Sequence, residues 1–345
     1  MISLQDYSKI PVKNIYYMLC YAWDRLKEKD NVKIGQEDEK DIYHLLTRIL
    51  VHSLRSLIKR GFYREYKLES EETTTLRGKI HFKESLSRFS YKRARMVCDY
   101  DELTHDIPHN QIIKSTLYGL ITCGHLDNNL KKEVSNLLTA FGGISIVKLS
   151  SRHFKELRLH KNNMHYGFVL DICKLLFDQL LLNEEQSQST FKDFQRDHKA
   201  MANLFEKFVF NFYKNEVKEY KVKRENIYWD ATGEDTAYLP IMQTDITLIS
   251  HSTKVIIDTK YYHQALTSHF DSEKVISGNL YQMYAYLNND QEKERDKVGM
   301  LLYPKVDKEL NLSFQLKEYP IRVCTVDLTR DWKVIHERLE ELIKL

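Results

Sequence analysis

Residues 239–262 read LPIMQTDITLISHSTKVIIDTKYY, and this stretch decides the fold. Leu239–Ile249 and Lys254–Tyr262 are both rich in β-branched and apolar residues. Four polar residues, Ser250–Thr253, separate them, so the stretch reads as two strands joined by a turn. A symmetric turn pairs Ile249 with Lys254, and that register carries Asp245 to the position opposite Asp258. Side chains repeat every second residue along a strand, so Lys260 projects from the same face as Asp258. Directly opposed residues stand about 5 Å apart at Cβ, and two carboxylates there repel by about 3 kcal/mol at an effective dielectric of about 20. Such a pair persists when a cation, or a proton held by a raised pKa, occupies the space between.

An acid two residues before a lysine identifies nothing by itself. The same spacing occurs at Asp38-x-Lys40, Glu65-x-Lys67, Glu216-x-Lys218, Glu219-x-Lys221 and Asp331-x-Lys333, where solvated surface charge is the simpler account. Asp258 differs because Val255-Ile256-Ile257 runs straight into it, and a continuous apolar run indicates a strand buried on both faces. An acid and a base at the end of such a strand are costly unless paired or bound to metal.

The surrounding chain has 345 residues, enough for two domains, with 42% hydrophobic and 29% charged residues. No apolar run approaches bilayer length, and the first twenty residues lack a signal peptide's pattern, so no membrane association and a cytoplasmic location are expected. The five cysteines (Cys20, Cys98, Cys123, Cys173, Cys324) are scattered without a CxxC and read as buried thiols. A net charge of only +3 means that any nucleic-acid affinity comes from local clusters or from a partner.

Helical periodicity is expected over Ile10–Leu26, whose apolar residues cover nearly the whole circumference, and over Asp41–Arg60, with Gly61 as its C-cap. Strands are expected at Phe62–Leu68 and Leu76–Phe82. The second would carry Arg77, Lys79 and His81 on one face, able to meet phosphates, an acidic partner or solvent. The cluster Arg88, Lys92, Arg93 and Arg95, with Phe89 and Tyr91, invites the same alternatives. Helices follow at about Pro108–Gly124, Asn129–Phe141 and Tyr166–Leu182. The polar stretch Asn183–Thr190 then marks a boundary between residues 1–190 and 191–345.

The second region opens with an amphipathic helix, about Asp197–Val217, whose stripe is Met201, Leu204, Phe205, Phe208, Val209 and Phe212. Glu206 sits on the flank of that stripe, facing either solvent or the end of a sheet. After the two strands and a charged loop, a helix over Gly278–Leu287 carries Gln282 and Tyr286 one turn apart. Strands at Val298–Tyr303 and Ile321–Val326 and a helix over Asp331–Leu345 complete the chain. This order predicts an α/β fold: a mixed sheet flanked by helices, after a mostly helical region with a small sheet.

The helix with an acid, the hairpin with Asp245 and Asp258-x-Lys260, and the following helix together resemble the PD-(D/E)XK nuclease fold. Gln282-x-x-x-Tyr286 is similar to the signature of its RecB-type branch. Thr244 stands where the motif's first letter places proline, a position that bears no chemistry. The segments Ile10–Trp23, Arg77–Ile80, Asp101–Asp106, Asn110–Lys114, Thr244–Thr247 and Asp258–Tyr262 further resemble the McrC family, nuclease subunits of modification-dependent restriction systems. The resemblance spans nearly the whole chain.

It implies that residues 191–345 cut double-stranded DNA and that residues 1–190 dock on a McrB-like AAA+ GTPase ring, which reads the modified cytosine. The eleven glycines nowhere form GxxxxGK[ST], so nucleotide hydrolysis belongs to the partner. The expected cofactor is Mg²⁺, held by Asp245, Asp258 and the Thr259 carbonyl, a sparse oxygen set that suits this ion. Lys260 neutralises developing charge and positions the attacking water. Glu206 holds either a water on the metal or a second ion; Gln282 and Tyr286 orient either the phosphate backbone or the lysine. Two other classes stay open: a self-sufficient structure-specific nuclease gripping DNA through Arg77, Lys79 and Arg93, and an inactive adaptor that only activates the ring.

Overall fold

Helix α1 (Val12–Ala22) starts directly after Pro11, whose fixed φ suits the first turn and whose missing N–H is not needed there. It is buried nearly all round, as its apolar circumference requires. The computed structural model describes residues 10–26, 42–122, 124, 126–184, 198–261, 266–269 and 272–344. Cys123, Tyr262 and most of the polar stretch 183–190 lie outside the described residues. Backbone contacts divide the chain into two compact units, Tyr43–Phe191 and Met1–Ile42 together with Lys192–Leu345. The expected single region 1–190 is thus corrected at its start, because α1 packs with the second half of the chain. Its Tyr21 ring meets Phe208, Phe212 and Trp332, and the buried Asn14 amide donates to the carbonyls of Leu328 and Arg330, each at 2.8 Å.

The unit 43–191 is mostly helical with a three-stranded sheet. Helix α2 (Ile42–Arg60) buries Leu45, Leu46, Ile49, Leu50, Leu54 and Leu57, and Gly61 ends it at φ +89°. Then come β1 (Glu65–Thr73), β2 (Lys79–Ile80), α3 (Phe82–Ser87) and β3 (Met96–Thr104), with β3 central between antiparallel β1 and β2. The expected strand Leu76–Phe82 therefore shrinks to two residues, and Phe82 opens a helix instead. Gly78 sits at φ +63°, where a Cβ would lie 2.1 Å from the Asp99 carbonyl, so the Arg77-Gly78-Lys79-Ile80 segment can approach β3 only with glycine there. The remaining helices are α4 (Pro108–Thr122), α5 (Asn128–Leu138), α6 (Ser151–Glu156) and α7 (Gly167–Glu184).

The second unit starts from α8 (His198–Glu216), which buries the predicted stripe of Met201, Leu204, Phe205, Phe208, Val209 and Phe212. It continues through β4 (Lys221–Lys223), β5 (Asn226–Ile227), β6 (Met242–Gln243), β7 (Ile246–Ile249) and β8 (Thr253–Thr259). Next come the hairpin β9 (Leu266–His269) and β10 (Ser272–Val275), then α9 (Ser277–Asn289), β11 (Asp296–Pro304), β12 (Asn311–Leu316), β13 (Tyr319–Val326) and α10 (Trp332–Leu342). Six strands form one mixed sheet in the order β12-β13-β11-β8-β7-β4. Within it β8, β11 and β13 run parallel, and the other neighbours are antiparallel.

Strand β8 is near the middle, and Val255, Ile256 and Ile257 are fully buried, as a run covered on both faces must be. The turn sets the predicted register, Ile249 with Lys254 and Ile246 with Ile257. The first predicted strand is not continuous, however. Thr244 leaves the ladder to exchange hydrogen bonds with the backbone of Glu225, so β6 and β7 are separated at Thr244–Asp245. Helix α9 crosses the sheet at Gly299, where a Cβ would stand 2.8–2.9 Å from Met283 and Leu287. Glycine there lets α9 sit close enough to bring Gln282 and Tyr286 to the end of β8.

Candidate active site

Asp258 ends the apolar run of β8 with a side chain that is 0% exposed. Its Oδ2 lies 2.8 Å from Lys260 Nζ, while Oδ1 finds no hydrogen-bond donor among the described residues. Burial pushes the carboxyl up to about 6; Lys260 pulls it down, and the charges of Asp245 and Glu206 push it further up. Asp245, one residue before β7, accepts hydrogen bonds from the Thr259 backbone N–H at 2.8 Å and from Thr259 Oγ1 at 3.0 Å. The two acids therefore hold the ends of adjacent strands, with Thr259 fixing one of them.

Lys260 is the hub of the polar chain. Its ammonium, 16% exposed, donates to Gln282 Oε1 at 3.0 Å besides meeting Asp258. Gln282 Nε2 donates to the Tyr286 hydroxyl at 2.6 Å, and that hydroxyl donates to the Gln243 carbonyl at 3.0 Å. Gln243 lies two residues before Asp245, so the chain returns to the strand from which the second acid comes. Tyr286 is 4% exposed, and burial raises its pKa. The Gln282–Tyr286 pair thus orients the lysine and braces β6 through direct contacts.

Burial first and then the charge of Asp245 raise the pKa of Glu206, which stands on α8. Its carboxylate is ion-paired with Arg224 at 2.6 Å, and among the described residues no three His, Cys, Asp or Glu side chains converge as ligands. The donor set offered is therefore the Asp245 and Asp258 carboxylates beside Thr259, all hard oxygen. It fits Mg²⁺, which takes one or two carboxylates and completes its shell with water and substrate phosphate. The unbonded Asp258 Oδ1 is the atom that such an ion would satisfy.

Below the site lies a group of residues that the sequence did not single out. Lys254, 4% exposed, meets Glu225 and Asp290 at 2.8 Å each. Glu225 also pairs with Lys223 at 2.7 Å, and its backbone N–H donates to Thr244 Oγ1 at 2.9 Å. Asp290 closes α9. One buried lysine thereby ties the start of β8, the end of α9 and the segment that turns Asp245 toward Thr259. A lysine opening an otherwise apolar strand is the only trace of this in the sequence.

Some of the basic residues of the unit 43–191 are met by acids. Arg77 pairs with Glu71 at 2.5 Å and lies over the Tyr100 ring, Arg88 pairs with Glu84 at 2.5 Å, and Arg93 pairs with Glu72 at 2.9 Å. His81 meets Asp99 at 2.5 Å. Cys20, Cys98, Cys173 and Cys324 are all buried. Among the described residues no helix is long and apolar enough to cross a membrane.

Comparison with known proteins bears on the whole chain. The family model described as McrBC 5-methylcytosine restriction system component matches residues 4–304. A protein of Escherichia coli (strain K12), described as Type IV methyl-directed restriction enzyme EcoKMcrBC, is 32% identical over 337 residues, covering 96% of this chain and 97% of its own length. A chain in a half-complex from a tetradecameric assembly of Thermococcus gammatolerans McrB AAA+ hexamers with bound McrC shares the fold at a TM-score of 0.60. It is 18% identical, and the match covers 96% of this chain and 76% of that one.

Proposed function

The chain belongs to the family of McrBC 5-methylcytosine restriction system components, and on that footing we propose that it is the DNA-cutting subunit of a modification-dependent restriction complex. The observation that carries this reading is the fully buried Asp258 carboxylate, with Asp245 across the strand ends and Lys260 at 2.8 Å. A structural role alone leaves such a buried acid with an unbonded oxygen unexplained, since the group costs stability.

Asp245 and Asp258, with the Thr259 carbonyl, would hold Mg²⁺, which supplies a Lewis acid for the scissile phosphate and a more acidic water. Lys260 stands where negative charge develops on the phosphate and offsets it, held in place by Gln282. Tyr286 keeps Gln282 in that orientation. Glu206 is assigned to accept a hydrogen bond from the attacking water. Hydrolysis of GTP is assigned to a McrB-like AAA+ ring, as this chain has no phosphate-cradling glycine loop. The unit 43–191 is assigned to docking on that ring and stimulating it.

The deciding experiment compares DNA with and without modified cytosine, cut by the purified chain alone and with a McrB-like ring and GTP. Cleavage requiring the ring, GTP and Mg²⁺, abolished in Asp258→Ala and Lys260→Ala while ring binding and GTPase stimulation persist, is the expected result. Undiminished cutting by both variants overturns the assignment. Cutting by the chain alone favours the self-sufficient nuclease.

A further inference from the structure

Glu206 is held by a partner that the reaction scheme above does not use. Arg224 Nη2 lies 2.6 Å from Glu206 Oε1, and the guanidinium also sits over the Phe210 ring at 5.3 Å. Arg224 is mounted on a fixed backbone. The next residue, Glu225, exchanges hydrogen bonds with Thr244 and is ion-paired to the buried Lys254. The arginine therefore stands on the segment that precedes Asp245 in space and reaches across to α8. The pair itself is accessible, with side chains 38% and 29% exposed, and an ion pair so placed is weakly held. A guanidinium fork matches a phosphate diester better than a single carboxylate oxygen, because it can donate two parallel hydrogen bonds. Glu206, released, lies close enough to Asp245 for the two charges to feel each other.

Building on the nuclease assignment, we propose that Arg224 exchanges partners: it withholds Glu206 from the metal site in the DNA-free chain and gives it up when a DNA backbone phosphate takes the guanidinium. The exchange makes the third carboxylate available only when substrate is seated. It couples the completeness of the metal site to the presence of DNA without any movement of the strands.

The test uses the full-length chain and two binding measurements that need no cleavage. Mn²⁺ titration without DNA should show a site lost in Asp258→Asn. Arg224→Ala should tighten that site by about fivefold, Glu206→Gln alone should leave it nearly unchanged, and the double variant should return to the wild-type value. Tightening that persists in the double variant reports only a removed positive charge and overturns the exchange, as does an unchanged or weakened site in Arg224→Ala. Arg224→Lys, which keeps the charge without the fork, should fall between the two and covers the case in which the alanine variant does not fold. Duplex DNA binding in EDTA should lose about one from its log affinity against log salt slope in Arg224→Ala. An unchanged slope, or inorganic phosphate displacing Arg224 from Glu206 as well as DNA does, overturns the assignment of the ligand. A wild-type chain that binds no Mn²⁺ at an Asp258-dependent site brings down the nuclease reading itself, whereas a normal site indifferent to Arg224 brings down the exchange alone.

Discussion

Thr259 donates twice to Asp245, from its backbone N–H and from its hydroxyl, onto the same carboxylate oxygen. The other oxygen of Asp245 is thereby left for a ligand, and the carboxylate cannot rotate away from the end of β8. Thr259→Val keeps the branched shape that a strand favours and removes only the hydroxyl bond. Cleavage at limiting Mg²⁺ should fall about tenfold, the effect of one hydrogen bond to a charged group. Saturating Mg²⁺ should recover most of the rate. A loss that Mg²⁺ does not relieve means that Thr259 acts otherwise than through Asp245.

Asp258 gives a pH signature. Its folded value of about 6 stands above the ordinary carboxylate value, so the native chain holds a proton that the unfolded chain has already released. Stability from this group is lost as pH rises from about 4 to about 6 and stays lost above, a change on the order of 2–3 kcal/mol. Asp258→Asn removes that penalty, and Lys260 keeps Gln282 as its partner. In EDTA at pH 8 the variant should melt roughly 5 °C above wild type, with the gap closing toward pH 4. Mg²⁺ should raise the melting temperature of the wild type and not of the variant. A variant that melts lower at pH 8 contradicts the cost assigned to this carboxylate.

Gln282 and Tyr286 form one chain with Lys260, so their deletions should not add. Gln282→Ala and Tyr286→Phe are each expected to lower kcat about tenfold, from the loss of one or two hydrogen bonds each. The double variant should lose little more than the worse single one, with a coupling energy of about 1 kcal/mol or more in the cycle. Additive losses would mean that the two residues act on separate parts of the substrate.

Lys254 is the buried tie. Lys254→Met matches its length but leaves Glu225 and Asp290 with only their outer lysines, Lys223 and Lys297. Removing one member of a buried ion cluster costs about 3 kcal/mol or more, so chemical denaturation of the variant should show a loss of that size. Asp290→Asn should soften the loss when combined with it. A variant as stable as wild type would show that the cluster is dispensable to the fold.

Much of this was legible in the sequence. The apolar run Val255–Ile257 announced a strand covered on both faces, and the four-residue turn set the register from Ile249–Lys254 to Ile246–Ile257, where the ladder stops one residue short of Asp245 and Asp258. The stripe of α8 was read residue for residue because helical spacing leaves no alternative partner for six large apolar side chains. Strand β3 was missed because Asp99, Asp101 and Glu102 mask its alternation; half of it faces away from the core. Strand β12, with exposed Asn311, Leu312 and Ser313, hides in the same way. The charged loop expected after β8 contains the hairpin β9–β10, whose apolar content is too small to signal a strand. The partners of Arg77 and Arg93 were invisible because Glu71 and Glu72 come near them only once β1 is built. Local periodicity identifies elements; it does not say which charge a cation will find.

Asn14 and Tyr21 draw the last consequence from the order in which the chain is made. The groups that meet Tyr21 and Asn14 among the described residues belong to positions beyond 200, so these contacts of the helix form only after most of the chain has left the ribosome. At about 5–20 residues per second, its partners follow on the order of ten seconds or more later. All that time the helix lacks these partners, while the 43–191 unit can fold to completion. A truncation that begins at residue 191 would omit α1 and leave bare the aromatic wall of Phe208, Phe212 and Trp332, and such a fragment should aggregate unless residues 10–26 are supplied to it.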